Sequence, residues 1–159
     1  MTYWLDSDVF IQAKNKPYKF NRVPQFWIFL SEKLDEGEIR VAKLTYQEIT
    51  TGKDQLSDWA KLRKSKGMCV SPSKEVQEKY AEICTHVASS GYHQNQIHEF
   101  LKGADGWVIA HAMVEGGTVV TQEVRDRTKT AIKIPILCKA LGVRCIDTYE
   151  MLDELDFRA

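Results

Sequence analysis

The sequence lacks most of the features that would assign it to a specialised class. No two of its four cysteines, Cys69, Cys84, Cys138 and Cys145, form a Cys-x-x-Cys pair, and each lies in or beside an apolar run. Zinc sites need close ligand spacing, so these thiols read as small core hydrophobes rather than metal ligands or disulfide partners. The four histidines, His86, His93, His98 and His111, show no metal-binding spacing either. His111 follows a buried helical face and reads as a core or rim group. No apolar run approaches the length that spans a bilayer. The opening run Met1-Thr2-Tyr3-Trp4-Leu5-Asp6 is too short and too acidic for a signal peptide, so a cytoplasmic location without membrane contact is expected. Neither sign of charge is in excess, with 22 basic and 22 acidic side chains. If the chain binds nucleic acid, its bases must therefore be segregated from its acids. Repeats, low-complexity tracts and linkers are also missing.

What is present is an ordinary core-forming chain. Its 159 residues, 43% hydrophobic and 28% charged, suit one domain spanning 1–159. A domain of that size buries about two-thirds of its unfolded surface and needs no covalent staple. Tyr3-Trp4-Leu5 reads as a buried strand that stops at Asp6-Ser7-Asp8. A short helix over 9–13 follows, capped by Ser7 or Asp8. Pro24 suits the first turn of a helix that Gly37 ends. Residues 39–42 predict a second strand, residues 46–49 start a helix, and Asp54 can cap the next one. Cys69-Val70 reads as a brief edge strand, followed by helices over 73–91 and 95–101. Gly103-Ala104-Asp105 leads into a run from Trp107 through Met113 that is apolar nearly all round, which predicts a buried helix. Strands over 118–121 and 143–146 flank a helix over 134–141, and a last helix starts at Thr148. Short apolar strands alternating with helices predict a parallel sheet covered on both faces.

In such sheets ligands bind outside the carboxyl ends of the strands, and here those ends are acidic. The first strand delivers Asp6 and Asp8, and the segment past the second delivers Glu48. Asp105 opens the buried helix. The strand over 118–121 delivers Glu123 with Asp126 beyond it, and the last strand delivers Asp147. Each has a plainer role as a helix cap, first-turn acid or solvated loop residue. Gathered together, however, several carboxylates repel unless cations neutralise them. Hard oxygen ligands select Mg²⁺, Mn²⁺ or Ca²⁺, and a few carboxylates plus waters suit octahedral Mg²⁺ best. Such ions activate water for phosphodiester hydrolysis.

Four segments carry a family resemblance. Tyr3-Trp4-Leu5-Asp6-Ser7-Asp8-Val9-Phe10-Ile11 resembles the opening of PIN domains, and Gln47-Glu48-Ile49 followed by Gly52 resembles their glutamate-bearing segment. Ala104-Asp105-Gly106-Trp107-Val108-Ile109-Ala110-His111-Ala112 is similar to the helix carrying their third acid. Val119-Val120-Thr121-Gln122-Glu123 resembles the strand ending in a threonine and a fourth acid. The tail Ile134-Pro135 with Cys145-Ile146-Asp147 is similar to a PIN-like subgroup, often of unknown function, whose last acid is glutamate. The resemblance implies a three-layer α/β/α fold with a mainly parallel five-stranded sheet. It further implies a Mg²⁺- or Mn²⁺-dependent endoribonuclease with Asp6, Glu48, Asp105 and Glu123 as catalytic metal ligands. Ser7 and Thr121 would hydrogen-bond those ligands, with Asp8 and Asp126 as possible additions. Many such proteins are VapC-like toxins, usually dimeric and inhibited by a small antitoxin. Glutamate in place of the usual final aspartate reaches further and shifts where a second ion would sit.

An RNA substrate also needs cations near the acids. Arg125, Arg127, Lys129 and Lys133 follow Glu123 directly, Lys14, Lys16, Lys19 and Arg22 lie in the first loop, and Lys61, Arg63, Lys64 and Lys66 form a third group. Arg125, Arg127, Lys129 and Lys16 are the expected RNA contacts. Tyr18 and Phe20 either stack on bases or pack locally. Two other readings compete. In a haloacid-dehalogenase-type phosphatase Asp6 would be the nucleophile and Asp8 the acid/base, though Val9-Phe10 stands where that family has Gly-Thr. Alternatively, a non-catalytic PIN scaffold would serve as a protein- or RNA-binding module.

Overall fold

The computed structural model describes residues 1–16, 18–123 and 132–158, with backbone alone at 65 and 66. The chain runs β1 (Tyr3–Leu5), α1 (Ser7–Asn15), α2 (Pro24–Glu36), β2 (Ile39–Arg40), α3 (Lys43–Thr50) and α4 (Gln55–Lys61). A π-helical turn (Lys64–Met68) leads to α5 (Lys74–Ala88), α6 (Gln94–Lys102) and α7 (Asp105–Glu115). Then come β3 (Thr118–Val120), α8 (Ile134–Leu141), β4 (Cys145–Ile146) and α9 (Thr148–Glu154).

All strand pairs are parallel, in the order β2-β1-β3-β4. Central β1 aligns Trp4 with Arg40 on one side and with Val119 on the other. Successive strand side chains point to opposite faces, and each face is fully covered. Tyr3, Leu5 and Val120 join a cluster with Phe10, Phe26, Trp27, Leu30, Trp59 and Met151, built on α1, α2, α4 and α9. Trp4 and Val119 join the opposite cluster with Ile83, Val87, Val108, Ile109 and Leu137, from α5, α7 and α8. Two cores flanking one sheet make the three-layer α/β/α arrangement. Each large side chain taken out of water contributes about 1.5–3 kcal/mol, so the paired cores are the main source of stability. Aromatic stacking extends the first core: Tyr18 lies on Phe26 at 4.3 Å between centroids and Phe20 on Trp27 at 4.0 Å. These two rings pack locally, as the second of their two readings required.

Several boundaries differ from expectation. The sheet has four strands among the described residues, not five. Residues 69–70 contribute a single parallel bridge between Val70 and Ala42. The π-helical turn immediately before and Pro72 immediately after, which has no N–H to donate, leave no room for a longer ladder. Helix α1 starts at Ser7 and is capped by Asp6, whose Oδ1 accepts from the Ser7 N–H at 2.8 Å, rather than by Ser7 or Asp8. Strand β4 starts at Cys145, because Gly142 closes α8 in the left-handed region and the Val143 N–H still donates to Cys138 C=O at 2.8 Å. None of the four cysteines is in a disulfide, and no described helix is long and apolar enough to cross a membrane.

The turn into β3 fixes where the central strands meet. Gly116 and Gly117 have φ of +81° and +125°, and an added Cβ at Gly117 would stand 2.5 Å from the Thr2 carbonyl oxygen. At Gly116 the same atom would meet open space. Gly116→Ala therefore carries backbone strain alone, about 1–3 kcal/mol at φ +81° and ψ 158°, whereas Gly117→Ala adds a backbone clash to its own strain and should cost more than that. Denaturant unfolding of the two variants is expected to separate them in that order. Equal losses would contradict the close approach of β3 to the chain before β1.

Candidate metal centre

The direction of connection reverses between β1 and β3, because β1 leads out to β2 on one side and β3 leads out to β4 on the other. Such a switch opens a crevice at the carboxyl edge, and the acids arrive there from three elements. Asp6 follows β1 directly and its N–H still donates to Val120 C=O at 3.0 Å. Glu123 follows β3 by three residues, and Asp105 is the first residue of α7. One carboxylate oxygen from each of Asp6, Asp105 and Glu123 lies within 4.8 Å of the other two.

Asp6 and Glu123 are each held by hydrogen bonds of their own. Asp6 is 2% exposed, and its second oxygen accepts the Thr121 hydroxyl at 3.0 Å. The same hydroxyl lies 3.4 Å from Asp8 Oδ1, which accepts the Gln122 N–H at 3.1 Å. Thr121 Oγ1 in turn accepts the Glu123 N–H at 3.1 Å. The Glu123 carboxylate accepts the Ile134 N–H at 2.8 Å, at the amino end of α8. That end carries partial positive charge and free N–H groups, so it anchors an anion. The Gln122 amide oxygen accepts the Thr148 N–H at 3.2 Å and ties this segment to α9.

Electrostatics record the crowding. Burial first, then the Asp105 and Asp8 carboxylates, push the Asp6 pKa well above the ordinary range. Asp105 is pushed up to about 7, first by burial and then by Glu123, Glu48 and Asp8, with Lys133 acting the other way. Burial also raises Glu123, against the Ile134 N–H and Lys133, which lower it. Two carboxylates 4.8 Å apart repel by about 3–4 kcal/mol at an effective dielectric of about 20. A cluster with oxygen donors only is chemically suited to a hard divalent cation, so Asp6, Asp105 and Glu123 could hold Mg²⁺ or Mn²⁺.

The other expected residues fall differently. Glu48 sits at the margin, outside the group of three. Its stem is exposed on α3, and an oxygen lies 3.7 Å from where a Gly103 Cβ would be. Shielding raises its pKa, while the Ala104 N–H and the Ser7 hydroxyl lower it. Asp147 caps α9 by accepting the Glu150 N–H at 2.8 Å. Lys16 is exposed just past the last turn of α1, so the length of that helix separates it from Asp6. Arg125, Asp126, Arg127 and Lys129 lie outside the described residues. Arg63 is occupied with Ser31 and with the Trp59 ring, and Lys14 pairs with Asp54. Among the described residues Lys133, one of the cations expected beside the acids, acts on Asp105 and Glu123. The Ile134 N–H, which holds Glu123, was not singled out from sequence; Pro135, which marks a helix start, was the available pointer.

A family model described as a domain of unknown function, DUF4411, matches residues 3–159. The chain belongs to this family. No curated relative matches this DUF4411 chain. Among solved structures it is similar to VapBC2 from Rickettsia felis bound to a DNA fragment from its promoter, at 16% identity and TM-score 0.58, over 92% of this chain and 98% of that one. It is also similar to DNA-bound VapBC from Salmonella typhimurium, at 18% identity and TM-score 0.55, over 92% and 98%. A third is FitAcB from Neisseria gonorrhoeae, at 17% identity and TM-score 0.54, over 93% and 99%. Likeness at this identity is one of fold, and the fold is PIN-like.

The raised pKa values fix a sign for stability without metal. Between the ordinary carboxyl range near 4 and about 7, the folded chain keeps protons that the unfolded chain releases. In chelator, the melting temperature should therefore fall as pH rises through that window. Asp105→Asn should flatten this slope and raise the melting temperature at pH 8 above the parent's. A variant as steeply pH-dependent as the parent would contradict the carboxylate crowding.

Proposed function

We propose that this DUF4411 chain is a divalent-metal-dependent endoribonuclease and the toxin of a toxin–antitoxin pair. The observation carrying the proposal is the convergence of the Asp6, Asp105 and Glu123 oxygens within 4.8 Å at the carboxyl edge of a parallel sheet. Mg²⁺ or Mn²⁺ bound there supplies activation of water and neutralisation of charge at the scissile phosphate and its leaving oxygen. The chain's own part is positional. Thr121 and the Ser7 N–H fix Asp6, and the Ile134 N–H fixes Glu123. Asp105 faces both from the first turn of α7. Glu48, beside Ser7 and Ala104, is the fourth catalytic acid in this reading and would be a further oxygen ligand for the metal.

Lys133 offers positive charge to a substrate phosphate beside Asp105 and Glu123. Arg125, Arg127 and Lys129 belong to the same segment and, with Lys16, complete the proposed RNA contacts. VapBC and FitAcB are complexes, and the fold shared with them over more than nine-tenths of this chain supports a small antitoxin partner here. A cytoplasmic location and a homodimer belong to the same reading. The phosphatase alternative would leave Glu48 without a task, and nothing in the structure favours it. A scaffold without catalysis would have no use for four crowded acids.

Single-stranded RNA oligonucleotides with Mn²⁺ or Mg²⁺ test the activity. Loss of groups that merely orient metal ligands costs about 10–100-fold, so Asp6→Asn, Asp105→Asn and Glu123→Gln should each lower cleavage by about 100-fold or more. Mn²⁺ should raise the parent's melting temperature and leave Asp105→Asn unmoved. Cleavage that persists in chelator, or is indifferent to these substitutions, would sink the proposal.

A further inference from the structure

A pocket of about 250 Å³ lies between α3 and α7, lined by Lys43, Leu44, Gln47, Pro72, Trp107 and His111. We propose that it receives an unpaired nucleobase of the RNA strand whose phosphate lies at the acids. The inference rests on the nuclease reading and adds a subsite to it.

Three observations support this occupant. The first is continuity along α3, where Gln47 on the pocket wall directly precedes Glu48. Lys43 at the rim is exposed and has no ion pair among the described residues, which leaves it available to a neighbouring phosphate. The second is the chemistry of the walls. The Trp107 indole is held flat against Tyr80, with centroids 3.8 Å apart and planes 5° from parallel. Leu44 and Pro72 add apolar surface, and Gln47 and His111 are the groups able to read an edge. Unpaired bases are bound in this way, by a π-face on a fixed ring and one or two hydrogen-bonding groups at the edge.

The third is His111 itself. Its side chain is 1% exposed and its ring is stacked on Trp4 at 4.5 Å. Nδ1 lies 3.5 Å from Glu115 Oε2, the outer limit of a hydrogen bond, with no closer partner among the described residues. Burial lowers its pKa, so the ring is held neutral with one donor and one acceptor. A fixed neutral imidazole lining a pocket matches the edge of a base better than it matches a charged ligand.

The test is NMR titration of the labelled protein in chelator with AMP, CMP, GMP and UMP, using ribose 5-phosphate and inorganic phosphate as base-free probes. The nucleotides should shift the Trp107 indole N–H and the His111 ring resonances, and the base-free probes should not. Trp107→Leu and Gln47→Ala should each weaken AMP binding about tenfold or more. Gln47 is exposed, so its variant keeps the fold. Equal responses to base-free probes, no response to nucleotides, or unchanged AMP affinity in Gln47→Ala would overturn the pocket assignment. Metal-dependent RNA cleavage without a nucleotide response rejects the pocket and keeps the nuclease. A nucleotide response without cleavage does the reverse.

Discussion

Repulsion among Asp6, Asp105 and Glu123 is the constraint around which the molecule is arranged. Acids from a strand end, a helix start and a loop would separate if their backbones could move. Asp6 is held by the Ser7 N–H and the Thr121 hydroxyl and Glu123 by the Ile134 N–H, while Asp105 is held in place by the packing of its helix. Thr121 is the common point, donating to Asp6 and accepting from the Glu123 backbone. One hydroxyl thus ties the end of β3 to the end of β1. Burying these acids costs stability, and the two aromatic-rich cores beneath them offset it.

Helix α7 does two jobs that require different chemistry. Its buried residues Val108, Ile109, Ala110 and Ala112 fill the core on one face of the sheet, while its first residue presents a carboxylate to the crevice. The apolar body pins the helix, so Asp105 cannot retreat from its neighbours. The same body carries Trp107 and His111 to the α3 side, where a pocket forms between the two helices. A single rigid element thereby relates an acidic site to an adjacent aromatic one.

Charge is sorted along this edge. The chain is neutral overall, yet its carboxylates crowd at the switch point, Lys133 lies against them, and Lys43 at the pocket rim has no ion pair among the described residues. A polyanionic strand needs a cation-binding centre with positive groups beside it, and sorting achieves this without a net basic charge.

Much of this was legible in the chain itself. The apolar triplet Tyr3-Trp4-Leu5 ending in acid, the β-branched run ending at Thr121 and the all-round apolar helix after Asp105 imposed a parallel α/β sheet with acids at its carboxyl edge, because strand and helix periodicities are local properties. The sequence could not say that residues 69–70 would make one bridge rather than a strand, since a π-helical turn and a proline limited the ladder. Nor could it say that Asp6 would cap its own helix while joining the cluster, or that Glu48 would stand at the margin with Asp6, Asp105 and Glu123 in the centre. It placed Lys133 among the cations near the acids, but it did not single out the Ile134 N–H as the donor that holds Glu123. Those outcomes depend on how helices packed on separate faces bring distant residues within a few ångströms, and only the folded chain decides that.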